Sequence, residues 1–143
     1  GGLSELRLLR EVEGIGGAAV MAAAGGFHSA VIRADGAVIT WGGDSSGQLG
    51  RGGRSVVASQ SGNPSGLDVG SSPALGMEGR EWDEPGRLIG VSDAVWVSCG
   101  SLSTLVVVMD GRALACGSNT HGRLGVGRPG KVALVLPVLG LEV

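Results

Sequence analysis

Shifting the sequence by 75 residues lays positions 20–52 over 95–127 without a gap. A fixed internal period limits a chain to architectures in which one supersecondary unit is used more than once. Ten of the superposed pairs are identical: Val20/Val95, Gly25/Gly100, Val31/Val106, Asp35/Asp110, Gly36/Gly111, Gly42/Gly117, Gly47/Gly122, Leu49/Leu124, Gly50/Gly125 and Gly52/Gly127. Six of the ten are glycine in a chain with 29 glycines among 143 residues, so the count alone persuades little. The weight of the match lies in where the shared residues fall, at the places a strand-and-turn unit requires them.

Within each copy the expected order is strand, turn, strand, hairpin, strand, turn. The apolar runs 18–24 and 94–99 end at Gly25 and Gly100, where a positive φ is expected to reverse the chain. Segments 29–33 and 104–109 follow, and Asp35-Gly36 and Asp110-Gly111 read as two-residue hairpins with both central residues at positive φ. The return strands 38–41 and 113–116 close on Gly42 and Gly117. Each enters a polar turn, carrying Gly47, Leu49 and Gly50 in one copy and Gly122, Leu124 and Gly125 in the other. A fourth, outer strand is expected before each unit, at a glycine flanked by apolar residues in 12–15 and 88–91. The third occurrence, 138–141, reads as the opening of another unit. The first residues, 3–12, fit an edge strand or a short helix on the Leu3, Leu6, Leu9 spacing, with the strand preferred. These boundaries divide the chain into a first repeat at 8–52, an insertion at 53–84, a second repeat at 85–127 and the start of a further unit at 128–143.

The insertion is dense in Gly, Ser and Pro and reads as a long surface loop, a length uncommon unless the segment has a function or lacks order. Its end differs in character. Arg80, Glu81, Trp82 and Asp83 set a large aromatic among mixed charges, a candidate contact for a partner protein, with folding back onto the sheet as the plainer alternative.

Other chemistry is thinly represented. A net charge of -2 and a pI near 5.6 supply no basic footprint, so no nucleic-acid contact is expected. The apolar run 132–141 is shorter than a membrane span and is broken by Pro137 and Gly140, so no membrane segment is expected. The chain opens on Gly1-Gly2 rather than Met, as a processed product or a fragment would. Cys99 and Cys116 form no C-x-x-C and pair with no histidine, which reads as two small buried hydrophobes in a reducing compartment rather than a disulfide or a zinc site. Residues 43–47 match the G-x-S-x-G of a nucleophile elbow, but that motif needs a strand-to-helix turn, and Thr120 replaces the serine in the second copy. His28 reads as a strand-start histidine bonded to nearby backbone, and His121 as an exposed turn residue. No catalytic residue, metal or cofactor is expected.

The strings Ala23-Ala24-Gly25-Gly26-Phe27-His28-Ser29, Asp35-Gly36, Thr40-Trp41-Gly42 and Gly47-Gln48-Leu49-Gly50 together resemble the repeat of the regulator of chromosome condensation family. The departures are Asp44 where that repeat has Asn, and, in the second copy, Ser103 for His, Cys116 for Trp and Arg123 for Gln. The resemblance implies an all-β fold: antiparallel four-stranded blades of a partial β-propeller. A closed ring of at least four blades needs roughly 160 to 200 residues, so further blades from the same parent chain or another chain are expected. It also implies a non-enzymatic protein-interaction scaffold in the cytoplasm or nucleus. The alternatives are a guanine-nucleotide exchange factor for a Ran-like small GTPase and the substrate-recognition part of a larger ubiquitin ligase.

Overall fold

A computed structural model describes residues 8–52, 82–127 and 129–140, without the side chains of Trp82 and Asp83. The described chain forms two four-stranded antiparallel sheets, each running in sequence order. The first consists of β1 (Ala19–Ala24), β2 (His28–Arg33), β3 (Val38–Gly42) and β4 (Trp82–Arg87). The second consists of β5 (Ala94–Cys99), β6 (Ser103–Val108), β7 (Ala113–Ser118) and β8 (Lys131–Pro137), with a short 3-10 turn at Thr120–Gly122. Strands β1, β2 and β3 begin 75 residues before β5, β6 and β7, the period read from the sequence. Even the irregularities repeat, since the β1–β2 and β5–β6 ladders slip between Ala19/Met21 and between Ala94/Trp96.

The outer strands do not lie where the sequence reading put them. They come last in each unit: β4 pairs with β3 and β8 pairs with β7. The glycine signature instead forms a turn, following β4 at Gly90 and β8 at Gly140 and preceding β1 at Gly14, with all three glycines at positive φ. The insertion therefore sits inside the first blade, between its third and fourth strands. Residues 131–137 complete the second blade rather than open another. The boundary at 84/85 cuts through β4. Of the segment 3–12, residues 3–7 lie outside the described residues, and 8–12 form no strand. Leu8 and Leu9 there are exposed.

The hairpins differ in detail too. Gly36 and Gly111 have φ of +90° and +94°, whereas Asp35 and Asp110 do not take positive φ. Arg33 N donates to Ala37 O at 2.8 Å and Gly36 N to Arg33 O at 2.9 Å, so the loop has three residues, a tight turn followed by a left-handed glycine. Residues 108–112 repeat these bonds. The Asp side chain explains its own place, accepting from the amide two residues on, Ala37 at 3.1 Å and Arg112 at 3.0 Å.

The sheets stack face to face. Ala30, Ile32 and Val38 of the first blade meet Val97, Val106 and Val108 of the second in one apolar cluster, and β1 and β2 pack on β5. Alternation explains the choice of residues, since Val106 and Val108 share one face of β6 while Leu105 and Val107 share the other. Among the described residues three backbone hydrogen bonds join the blades: Gly26 N to Gly100 O at 3.2 Å, Ala94 N to Gly36 O at 3.0 Å, and Gly52 N to Ala133 O at 2.9 Å.

Candidate functional site

Between the blades runs a polar seam. His28, at the start of β2, is buried, and its Nε2 lies 2.7 Å from Thr104 Oγ1 on β6. The Thr104 hydroxyl gives its one proton to Gln48 O at 2.5 Å, so the same oxygen accepts from Nε2–H of the imidazole. Burial lowers the His28 pKa, opposed by a hydrogen bond to the Ser103 backbone. The ring is thus a neutral strap from one blade to the other, not a histidine bonded only to its own neighbourhood. Cys116 also faces Gln48 O, with Sγ 3.5 Å away, and burial pushes its thiol up to about 12. Cys99 is raised to about 11 by the same cause, and both thiols are free.

This geometry assembles no triad. His28 opens β2 and Asp35 lies two residues past its other end, roughly 20 Å away at the rise of a strand. Asp35 is held at about 2 by its bond to Arg33, whose Nη2 lies 2.6 Å from Oδ2. Residues 43–47 lead into further turn rather than a helix. Among the described residues no cluster of His, Cys, Asp or Glu could hold a metal, and no helix is long and apolar enough to cross a membrane.

The repeat positions serve the frame. Leu49 and Leu124 are buried plugs beneath the polar turns, and Gly42, Gly47, Gly50, Gly117, Gly122 and Gly125 have positive φ. Gly25 and Gly100 do not take the expected positive φ. Gly25 is needed for a different reason: a Cβ there would run into the Gly100 carbonyl of the neighbouring blade. Trp41, half-buried, pairs across the ladder with Ser29.

Of the proposed partner contacts, Arg80 and Glu81 lie outside the described residues, as do the side chains of Trp82 and Asp83. The backbone of the latter two opens β4, with Trp82 opposite Gly42.

A surface that sequence reading missed emerges from comparing equivalent turns. In the first blade, residues 44–52 are buried except Ser45. They lie against β8 of the second, and a Cβ on Gly47 would sit 2.7 Å from Ala133 Cα. In the second blade the matching Gly122 has nothing within 4 Å among the described residues. Gly122 instead borders an open surface depression of about 420 Å³, lined by Asn119, His121, Gly122, Gly125, Gly127 and Pro129. His121 borders it with a left-handed φ of 63°. The face of the second sheet turned away from the first exposes Trp96 (58%) and Leu105 (41%).

Comparison with known proteins agrees with this frame. Residues 22–48 match the family profile described as the regulator of chromosome condensation (RCC1) repeat. The chain is 37% identical over 117 residues to human probable E3 ubiquitin-protein ligase HERC6, covering 82% of this chain and 9% of that one. It is 34% identical to the Caenorhabditis elegans X-linked retinitis pigmentosa GTPase regulator homolog, covering 82% and 7%. Mouse RCC1 domain-containing protein 1 is 30% identical, at 85% and 35%. The chain thus spans a minor part of each relative. Among solved structures, yeast RCC1 (Prp20) bound to Kap60 superposes with a TM-score of 0.66 at 18% identity, covering 92% of this chain and 26% of that one. Human WBSCR16 gives 0.61 at 20% identity, with 83% and 25% covered.

Proposed function

Because the chain belongs to the regulator of chromosome condensation repeat family, we propose that it contributes two adjacent blades to a longer propeller that works as a protein-interaction scaffold. The carrying observation is the open depression at Gly122, at the position equivalent to the filled seat at Gly47, together with the exposed Trp96 and Leu105 on the outer face of the second sheet. A further blade of the parent polypeptide fills that seat. Rigid sheets present variable loops, which is how such frames achieve recognition. The insertion and the segment Arg80 to Asp83 are the recognition elements in this reading, and the compartment is cytoplasm or nucleus, where free thiols persist.

A second reading is nucleotide exchange on a Ran-like small GTPase. It is favoured by a structural relative, Prp20p of Saccharomyces cerevisiae, described by its binding to Gsp1p and histones. The likeness to a ligase supports a third role, substrate recognition within a larger enzyme.

Hydrogen exchange on the parent polypeptide tests the scaffold geometry. The Gly127 amide, equivalent to the bonded Gly52 amide, is expected to be protected there and to exchange freely in the 143-residue chain; free exchange in both would overturn the reading. A release assay with small GTPases carrying a fluorescent guanine nucleotide separates the roles. Accelerated release by the parent polypeptide overturns the scaffold-only reading.

A further inference from the structure

The two blades meet one steric requirement at their outer edge with different residues. In the first, buried Arg51 directs Nη2 to the carbonyl oxygens of Thr40 on β3 and Glu84 on β4, the latter at 2.9 Å. Its guanidinium lies over Gly86, where a Cβ would stand 2.7 Å from Cζ. Burial lowers the Arg51 pKa, and the charges of Asp44 and Glu84 oppose that shift. Asp44 is buried as well, and its Oδ1 accepts from Leu49 N at 3.1 Å.

The second blade is an internal control. The 75-residue shift takes Asp44 to Asn119 and Arg51 to Val126. Gly86, opposite Thr40, corresponds to Leu136, opposite Ala115. Asn119 Oδ1 accepts from Leu124 N at 2.8 Å, so the turn itself asks only for an oxygen acceptor and not for a negative charge. Val126 is buried, and Leu136 packs on the apolar cluster. A buried guanidinium needs both an opposing charge and space. The charges of buried Asp44 and of Glu84 answer the first need and Gly86 the second, and neither need exists where Val126 and Leu136 join the apolar cluster.

We propose that Asp44, Arg51 and Gly86 form one coupled unit, a buried charged clasp holding outer strand β4 to β3 across the insertion, where the second blade has neutral Asn119 and the apolar Val126 and Leu136. Breaking one partner of a buried charged group is strongly destabilising, whereas exchanging the whole group for apolar residues of similar volume is close to neutral. Arg51 is on this account a positioning residue for β4.

The test transplants the second blade's solution into the first, in the full chain. Arg51→Val and Asp44→Asn are each expected to lower the thermal midpoint. Each also speeds amide exchange in β4 by more than about tenfold, leaving β8 unchanged. Gly86→Leu alone is expected to do the same through its clash with the guanidinium. The triple variant D44N/R51V/G86L is expected to return both readings to near the original values, a non-additivity that independent sites do not show. Unchanged β4 exchange in Arg51→Val would overturn the proposal. So would a triple variant that loses as much as the single changes combined. Should Arg51→Val not fold, a folded triple variant supports the clasp and an unfolded one overturns it.

Discussion

The first and second blades share a backbone plan and differ in what fills it. Glycines with left-handed φ, the turn aspartates Asp35 and Asp110, and the plugs Leu49 and Leu124 recur at the same places. The groups facing the seam and the outer edge do not recur: His28 against Ser103, Trp41 against Cys116, Arg51 against Val126. Backbone-setting residues answer to geometry internal to one blade, identical in both copies. Space-filling residues answer to whatever lies alongside, which differs for each blade.

The sharpest way to break that contrast uses two glycines of equal conformation. Gly36→Ala places a methyl against the Ser92 carbonyl in addition to the left-handed backbone cost, whereas a Cβ on Gly111 has nothing within 4 Å among the described residues. A loss of about 3 kcal/mol is expected for Gly36→Ala and about 1 kcal/mol for Gly111→Ala, measured by urea denaturation. Equal losses would show that the connection around Ser92 yields.

A middle-sized effect tests the seam. Thr104→Val strands His28 Nε2 and leaves Gln48 O only the weak Cys116 thiol donor, a change expected to cost about 2 kcal/mol. The same strap carries a pH signature. The folded pKa of His28 lies below its unfolded value of 6.5, so between the two the unfolded chain binds more protons and stability rises with pH. Stability is therefore expected to fall as pH drops below about 6.5, and His28→Asn should flatten that slope in thermal melts. Ser103, the second blade's counterpart, has no such titration.

The smallest effect concerns the two exposed turn aspartates, both with lowered pKa. Asp35 falls from 3.8 to about 2 through its bond to Arg33, so its contribution is present above 3.8 and is lost as pH descends through about 2. Asp35→Asn should remove a shallow acid-side slope in that window, with little change at neutral pH, as befits an exposed pair. A steep loss at neutral pH would show that the turn depends on the charge itself.

The same contrast explains what could be read in the residues. The three inner strands of each blade were legible because apolar stretches such as 30–32 and 105–107 are bracketed by glycine punctuation. Strand β4 was not, since Trp-Asp-Glu-Pro-Gly-Arg has no alternation and holds Pro85, which a strand tolerates at a sheet edge. The hairpins were located correctly but assigned the wrong loop, because Asp-Gly suits both a two-residue turn and a three-residue turn ending in glycine. The partner of His28 was beyond reach. Thr104 is 76 residues away, and only the stacking of the sheets brings it close.

Placing the insertion between β3 and β4 has a kinetic consequence. The first blade must close residues 43–81 before its edge can zip, whereas the second closes only 119–130. That difference adds about 1 kcal/mol of chain entropy, borne by whichever step docks the last strand. The second blade thus closes its edge at the lower entropic cost.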